Sequence, residues 1–447
     1  MLANFTPMSI VSGINAKHGV PLRRAVLSIY GILIVASIVF RVWHLGNIPG
    51  LNGDEADYGI KAYDLLHGRH IGWLTPNGSI YNPLLLLPDA LLQCLCKPSI
   101  ELLRVVAVFS GLAAIVVNYL ICRKTLGDTT ARITTLLIAV LPTDISQSRL
   151  GWGPCQALLA DIVVVYLAIE LASGVEIPKS KHAWNILACL FALIYAPNIY
   201  AVWAMPAAAI LRAVRKLPPE RRAVAIKVIA GSCVLGLACI PAVKSHMHAV
   251  FFMMDRDQNR GLLLGYLSFF SGRNVYAYIA GAPYPGRVFD WQDVAAAAPW
   301  VVCAASIVLS IFRRFQVRPA AADILIAAFW AIQLALMAVS IGPAALLPKL
   351  DRYSIALIVP AVLLFARSLE LVCSRADFRP VVAEAAAALV GILLLAGFYR
   401  GYFQPMLRTG GDGEYTFRTN NVDPKEAAID YIRNYSGIPV HTCWAPT

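Results

Sequence analysis

The chain has 447 residues, 58% of them hydrophobic and 14% charged, with a mean hydropathy of +0.64 and a net charge of +12. A soluble domain so apolar would strand too much hydrocarbon, whereas repeated runs of about 20 apolar residues each suffice to cross a ~30 Å bilayer core. The positive balance belongs to cytoplasmic loops and anionic lipid headgroups, and nucleic acid is excluded as a partner, since neither an aromatic RNA-binding pattern nor a zinc-finger spacing occurs.

The first span is expected over residues 25–45. Lys17, Arg23 and Arg24 precede it and place the N-terminus in the cytoplasm, with no small-residue cleavage site behind the span. Ile48-Pro49-Gly50 then forms a rigid exit into Leu51-Asn52-Gly53-Asp54-Glu55-Ala56-Asp57-Tyr58. The carboxylates of Asp54, Glu55 and Asp57 cannot be left in lipid, so they sit in water or in a polar cavity at the membrane face. Acids in a first helical turn also complement the helix dipole, which is their bland explanation. An amphipathic stretch from Tyr58 to Leu66 holds them against the surface. The letters D-E-A-D are no helicase motif, because no phosphate loop G-x-x-x-x-G-K-[ST] exists in the chain.

Tyr81-Asn82-Pro83-Leu84 opens a short apolar segment, 84–96, with Pro83, Pro88 and Asp89 in or beside it. If that segment crossed the membrane, Arg123-Lys124 would lie outside. The positive-inside rule makes it a juxtamembrane or half-inserted helix instead. Spans follow near 100–122, 130–147 and 154–173, then a tight pair over 183–214 and one near 224–243. After an outer loop, 244–296, come spans near 297–312, 321–341, 355–372 and 381–398. The expected fold is thus all-α and polytopic, with about eleven transmembrane helices. Residues 1–398 form the membrane domain, with the acidic motif on outer loop 46–99 and a lid on loop 244–296. A polar outer tail, 399–447, reads as the start of an α/β appendage.

Arg352 and Tyr353, with Lys349 just before them, read either as interfacial anchors or as a phosphate clamp in which the Arg fork matches phosphate oxygens. Arg149 and Trp152, at the outer end of the third span, carry the same two readings. Asp161, Glu170, Asp323 and Glu384 fall in or near apolar runs, where acids are functional candidates by default. His246 and His248 are polar lid residues. The ten cysteines lie mostly inside apolar runs (Cys233, Cys239, Cys303), and Cys94 and Cys96 are a weak metal pattern without a second pair.

In order, Gly53-Asp54-Glu55-x-x-Tyr58, Asn82-Pro83-Leu84, Leu103-Arg104, Arg123-Lys124-x-x-x-Gly127, Leu141-Pro142, Ser148-Arg149 and Asp351-Arg352-Tyr353 form a series. This series resembles the GT-C class of polytopic glycosyltransferases, in the branch of protein O-mannosyltransferases and lipid A aminoarabinose transferases. The resemblance covers residues 20–175 and, more loosely, 340–372. It implies transfer of a sugar from a polyprenyl-phosphate donor to a lipid, polysaccharide or protein hydroxyl on the outer face, in a bacterial inner membrane with a periplasmic site. It makes Asp54 the general base, Glu55 a site-shaping acid and Arg352-Tyr353 the donor-phosphate contact. Lys349 and Arg149 would supply further charge, since Asn82 stands where related sequences often carry Lys. Pro154 likewise stands where many carry Asp. Tyr58, Asp57, Tyr81, Asn82 and Trp152 would line the substrate pocket. No cofactor is implied, and a divalent metal, used by some of that class, is left open because Asp54-Glu55 lacks a second spaced acid pair. The alternatives are a transporter or lipid flippase, or an envelope scaffold in which Asp54 is dispensable.

Overall fold

The computed structural model describes residues 11–51, 53–74, 80–172, 204–228, 231, 326, 355, 358–375 and 380–408. Loop 244–296, Lys349, Arg352, Tyr353, Asp323 and the tail beyond Arg408 lie outside them, as do most of the later expected spans. Among the described residues every element is helical, apart from an isolated bridge between Leu74 and Ile80.

Helix α1 (Val11–Val42) contains the first span, and α2 (Gly53–Leu66) begins at the acidic motif. Helix α3 (Pro83–Leu95) is the short helix expected before the second span. Asn82 caps it by accepting the Leu84 N–H at 3.0 Å, and Pro83, whose missing N–H costs nothing in a first turn, opens it. Leu84, Leu87, Leu91 and Leu95 are exposed along one side, while Leu85, Leu86, Asp89, Ala90 and Gln93 are buried on the other. One face is thus apolar and exposed and the other is packed on protein, the amphipathic pattern an interfacial helix uses.

Ser99 caps α4 (Ile100–Leu126) through a 3.2 Å bond from the Leu102 N–H. At a rise of ~1.5 Å per residue, Arg104 near its start and Arg123 near its end stand roughly 28 Å apart. The acidic motif and the basic cluster therefore occupy opposite ends of the bundle. Gly127, at φ 96°, turns the chain directly into α5 (Asp128–Val140). There Arg132 bonds Glu384 through Nε at 2.8 Å and also pairs with Asp128.

The span expected over 130–147 is in fact two helices. Pro142 lacks an N–H and its ring would strike the preceding turn, and it pushes Leu141 out of helical geometry to φ −67°, ψ 123°. The chain breaks there, and α6 (Pro142–Gln147) follows. Thr130–Val140 of α5 is buried almost throughout, packed among α1, α4 and two late helices, α9 (Ile358–Arg375) and α10 (Pro380–Phe398). A 3-10 turn (Gly153–Gln156) leads into α7 (Ala157–Ala172), which packs against α4 and α8 (Ala204–Lys216).

The helix of α10 does not end at 398. It passes through a π turn (Tyr399–Phe403) into α11 (Gln404–Arg408). Phe403 sits against Phe40 and Trp43 at centroid distances of 5.2 and 4.9 Å, which pins this extension to the end of α1. Four described stretches are long and apolar enough to cross a membrane: Pro21–Val42, Ile100–Leu126, Gly153–Ala172 and Pro380–Leu407. The protein is a multi-pass membrane protein.

Candidate active site

The connection from α1 to α2 leads directly into Asp54, and two buried arginines from elsewhere in the chain hold that connection. Both have fully buried side chains. Arg149 gives its guanidinium to the carbonyls of Phe40, Trp43, His44 and Ile48, with Trp43 O at 2.7 Å, and lies over the Phe403 ring at 5.0 Å. Arg104 donates to the carbonyls of Leu45, Pro49 and Gly50 at 2.7, 2.8 and 3.2 Å. Backbone acceptors where the regular helical ladder stops are thus satisfied by side chains, the His44 carbonyl also accepting the Asn47 and Ile48 N–H groups. Seven carbonyls between residues 40 and 50 are fixed in this way.

Arg104 also grips Glu55 with two parallel bonds, Nε to Oε1 at 2.9 Å and Nη2 to Oε2 at 2.8 Å, and the Gly151 N–H adds a third to Oε1 at 2.6 Å. Neither Arg104 nor Glu55 is exposed. A buried charge pair is tolerable when bidentate geometry and extra hydrogen bonds compensate the lost hydration, as they do here. Glu55 is therefore a structural anchor. Asp54, one residue earlier in the first turn of α2, is exposed.

Gly151 has to be glycine for steric reasons. A Cβ at that position would lie 2.9 Å from the Leu103 carbonyl carbon and closer still to its oxygen. The obstacle is backbone and cannot swing away, and Leu103 directly precedes Arg104. Gly151→Ala is expected to cost about 1–3 kcal/mol of stability, the range for overpacking. It should also weaken the anchor on Glu55, visible as a lowered unfolding midpoint of the purified protein. An unchanged midpoint would mean that the 148–156 turn is not pressed onto α4.

Asp57, half a turn past Glu55, accepts the Tyr81 hydroxyl hydrogen. The Asn82 N–H donates to the Tyr58 hydroxyl oxygen at 3.0 Å, and the Tyr58 and Tyr81 rings meet edge to face at 5.4 Å. Burial pushes the Tyr58 phenol up to about 12. Burial, reinforced by Asp57, raises Tyr81 as well. Both phenols stay neutral at physiological pH. Asn82 Nδ2 donates to Gln156 Oε1 at 2.9 Å, and Gln156 Nε2 in turn reaches the Leu84 carbonyl at 3.0 Å. Trp152 gives its indole N–H to Gln147 Oε1 at 2.9 Å.

The acidic motif, Tyr81-Asn82 and the 148–156 turn therefore come together. Tyr58, Tyr81, Asn82 and Trp152 are all buried, and Tyr81 joins this layer to Asp57. Arg149, expected as a further phosphate contact, is buried with both Nη atoms given to carbonyls. Sequence reasoning does not mark Arg104, Gln156 or Gln93 as site residues. An Arg four residues into an apolar helix is the signal that was available for the first of them, because such a charge demands a partner. Among the described residues, no group of three or more His, Cys, Asp or Glu side chains is placed to hold a metal ion.

No family model and no curated protein matches the chain. Among solved structures, the chain is similar to apo ArnT from Cupriavidus metallidurans at 13% identity, covering 94% of this chain and 85% of that one, with a TM-score of 0.49. The same ArnT bound to undecaprenyl phosphate gives 13% identity over 93% and 84%, at a TM-score of 0.48. The Archaeoglobus fulgidus oligosaccharyltransferase in complex with Zn and sulfate gives 14% identity over 92% of this chain and 56% of its own length, at 0.48. Both proteins belong to the GT-C class that the motif series resembles.

Proposed function

We propose that this chain is an integral-membrane, inverting glycosyltransferase that moves a sugar from a polyprenyl-phosphate donor to an acceptor hydroxyl at the outer membrane face. The observation that supports this reading best is the division between two adjacent acids. Glu55 is locked by Arg104 and Gly151, and Asp54 is left exposed on the rigid base they create.

In the proposed reaction Asp54 takes the acceptor's proton as its oxygen attacks the anomeric carbon. The bond from that carbon to the donor phosphate breaks, and polyprenyl phosphate departs with the electron pair and one added negative charge. A phosphate leaving group needs no general acid, so one base suffices. A single displacement inverts the anomeric centre, by the geometry that governs inverting glycosidases. Positive charge aimed at the departing phosphate stabilises the transition state. Arg352, with Lys349 and Tyr353, is proposed for that role, and Arg149 is not. The proposed setting is a bacterial inner membrane with the site facing the periplasm.

The test is consumption of a polyprenyl-phosphate-sugar pool by the full chain in proteoliposomes. Wild-type protein is expected to release polyprenyl phosphate and glycosylate an added acceptor. Arg352→Ala should slow release by about 100-fold or more, the scale for removing one charge-stabilising donor. Failure of wild-type protein to consume any of several donors would defeat the proposal and bring the transporter reading forward.

A further inference from the structure

Asp89 and Gln93 stand one turn apart on the face of α3 that packs against α2. Asp89 is 1% exposed, yet neither of its carboxylate oxygens has a hydrogen-bond partner, and Gln93 Oε1 has none either. The other end of the Gln93 amide is engaged, with Nε2 donating to the Gly59 carbonyl of α2 at 3.2 Å. Three buried acceptors on one helix face therefore lack a donor. Leaving them so forfeits the hydration each has lost, and the loss is greatest for an ionised carboxylate.

One proton pairs two of the three and takes the charge off the remaining Asp89 oxygen. A neutral carboxylic acid is a donor, and side chains four residues apart on a helix are neighbours. We propose that Asp89 is held as the neutral acid and donates to Gln93 Oε1, making a proton-dependent latch that keeps α3 seated on α2 and so positions Asp54. The part of this inference that concerns transfer rests on the glycosyltransferase reading; the latch itself does not. Asp89 touches no reacting atom in it and is a positioning residue. The chain of contacts runs from Asp89 to the Gln93 carboxamide, from there to Gly59, and along α2 to Glu55 and Asp54.

The surrounding charges favour the proton. Glu55 of α2 faces Asp89 with a negative charge, the Cys155 thiol of the 3-10 turn lies near both, and Arg104 of α4 is bound to Glu55. Burial, with Glu55 adding to it, pushes the Asp89 carboxyl up to about 8. Because the folded value is raised, the folded state holds a proton that the unfolded chain has already released. The associated stability is fully present below about pH 4, is lost as pH rises towards 8, and does not return above it.

The experiment compares wild-type protein with Asp89→Asn, whose amide is a donor at every pH, and with Gln93→Leu, which removes the acceptor. Unfolding midpoints of the full chain in detergent are measured from pH 5 to 9, and sugar transfer in proteoliposomes over pH 6.5–9. The wild-type midpoint should fall between pH 5 and 8, and that of Asp89→Asn should fall less than half as far. Relative to its own rate at pH 7, wild-type transfer should drop about tenfold at pH 9, the loss expected for a required proton with a pKa near 8, while Asp89→Asn should drop about twofold or less. Gln93→Leu should show the lower midpoint at all pH values.

Parallel midpoint curves for wild type and Asp89→Asn would overturn the latch. Different midpoint curves with coincident transfer profiles would overturn the positioning role. If no protein transfers sugar while the midpoint difference persists, the latch is upheld and the glycosyltransferase reading has failed by itself.

Discussion

Asp54→Asn is expected to reduce sugar transfer by about 10²- to 10⁴-fold, the range for removing a positioned general base. Asparagine keeps the size and the oxygen of the side chain but cannot take a proton from the acceptor. Asp54 is exposed, so the isosteric substitution opens no cavity. It also removes a negative charge from the first turn of α2, worth roughly 0.3–1 kcal/mol, and from beside the Tyr58 and Tyr81 phenols. The loss should therefore appear in kcat, with KM for the donor little changed and the unfolding midpoint within a few degrees of wild type. Asp54→Glu, which moves the carboxylate by one methylene, should recover part of the rate. The comparison is steady-state transfer by the two variants and wild type at equal protein level in proteoliposomes. Undiminished transfer by Asp54→Asn would remove this carboxylate from the mechanism. A parallel collapse of activity and midpoint would place Asp54 in the scaffold with Glu55.

That contrast between neighbouring acids shows how far the sequence could be read. Hydropathy and charge locate the first two long spans and the short helix between them, because lipid imposes length and sign on every segment. The acidic motif is legible for the same reason: three carboxylates at a span exit have nowhere to go but a polar face. Local rules could not say which acid is buried. The partner of Glu55 is Arg104, 49 positions away, and an arginine near a span end reads equally well as a snorkelling anchor. Arg149 is ambiguous in sequence for a related reason. Phosphate and backbone carbonyl both attract a guanidinium, and the four carbonyls it binds between Phe40 and Ile48 are gathered only when α1 has folded against the 148–156 turn. The break at Pro142 was visible as a residue but not as an interruption, since an apolar window runs straight across it. Tyr399–Phe403 looked like the start of a polar tail because Arg400 and Gln404 lower its hydropathy. Its aromatic side chains nevertheless have a fixed place on Phe40 and Trp43.

Glu55→Leu is expected to destabilise the fold by about 3–5 kcal/mol, because it leaves Arg104 buried without a countercharge. Arg104→Met should cost at least as much. It strands the Glu55 carboxylate with the Gly151 N–H and removes the donor from the Leu45, Pro49 and Gly50 carbonyls. The informative protein is the double variant Glu55→Leu with Arg104→Met. Replacing both members of a buried ion pair by apolar groups is often nearly neutral, so the combined loss should fall short of the sum of the two single losses by about 1–3 kcal/mol. It should not return to wild type, because the three carbonyls still lack their donor. Unfolding free energies of the four proteins in detergent measure both quantities: the coupling reports the ion pair, and the residual deficit reports the carbonyl clamp. Transfer should stay depressed in the double variant even where stability partly recovers. Asp54 is the residue before position 55, and a displacement of about 1 Å in a reacting group costs on the order of 10²-fold in rate. Additive losses, or wild-type transfer by the double variant, would mean that Asp54 is positioned by something other than this clamp.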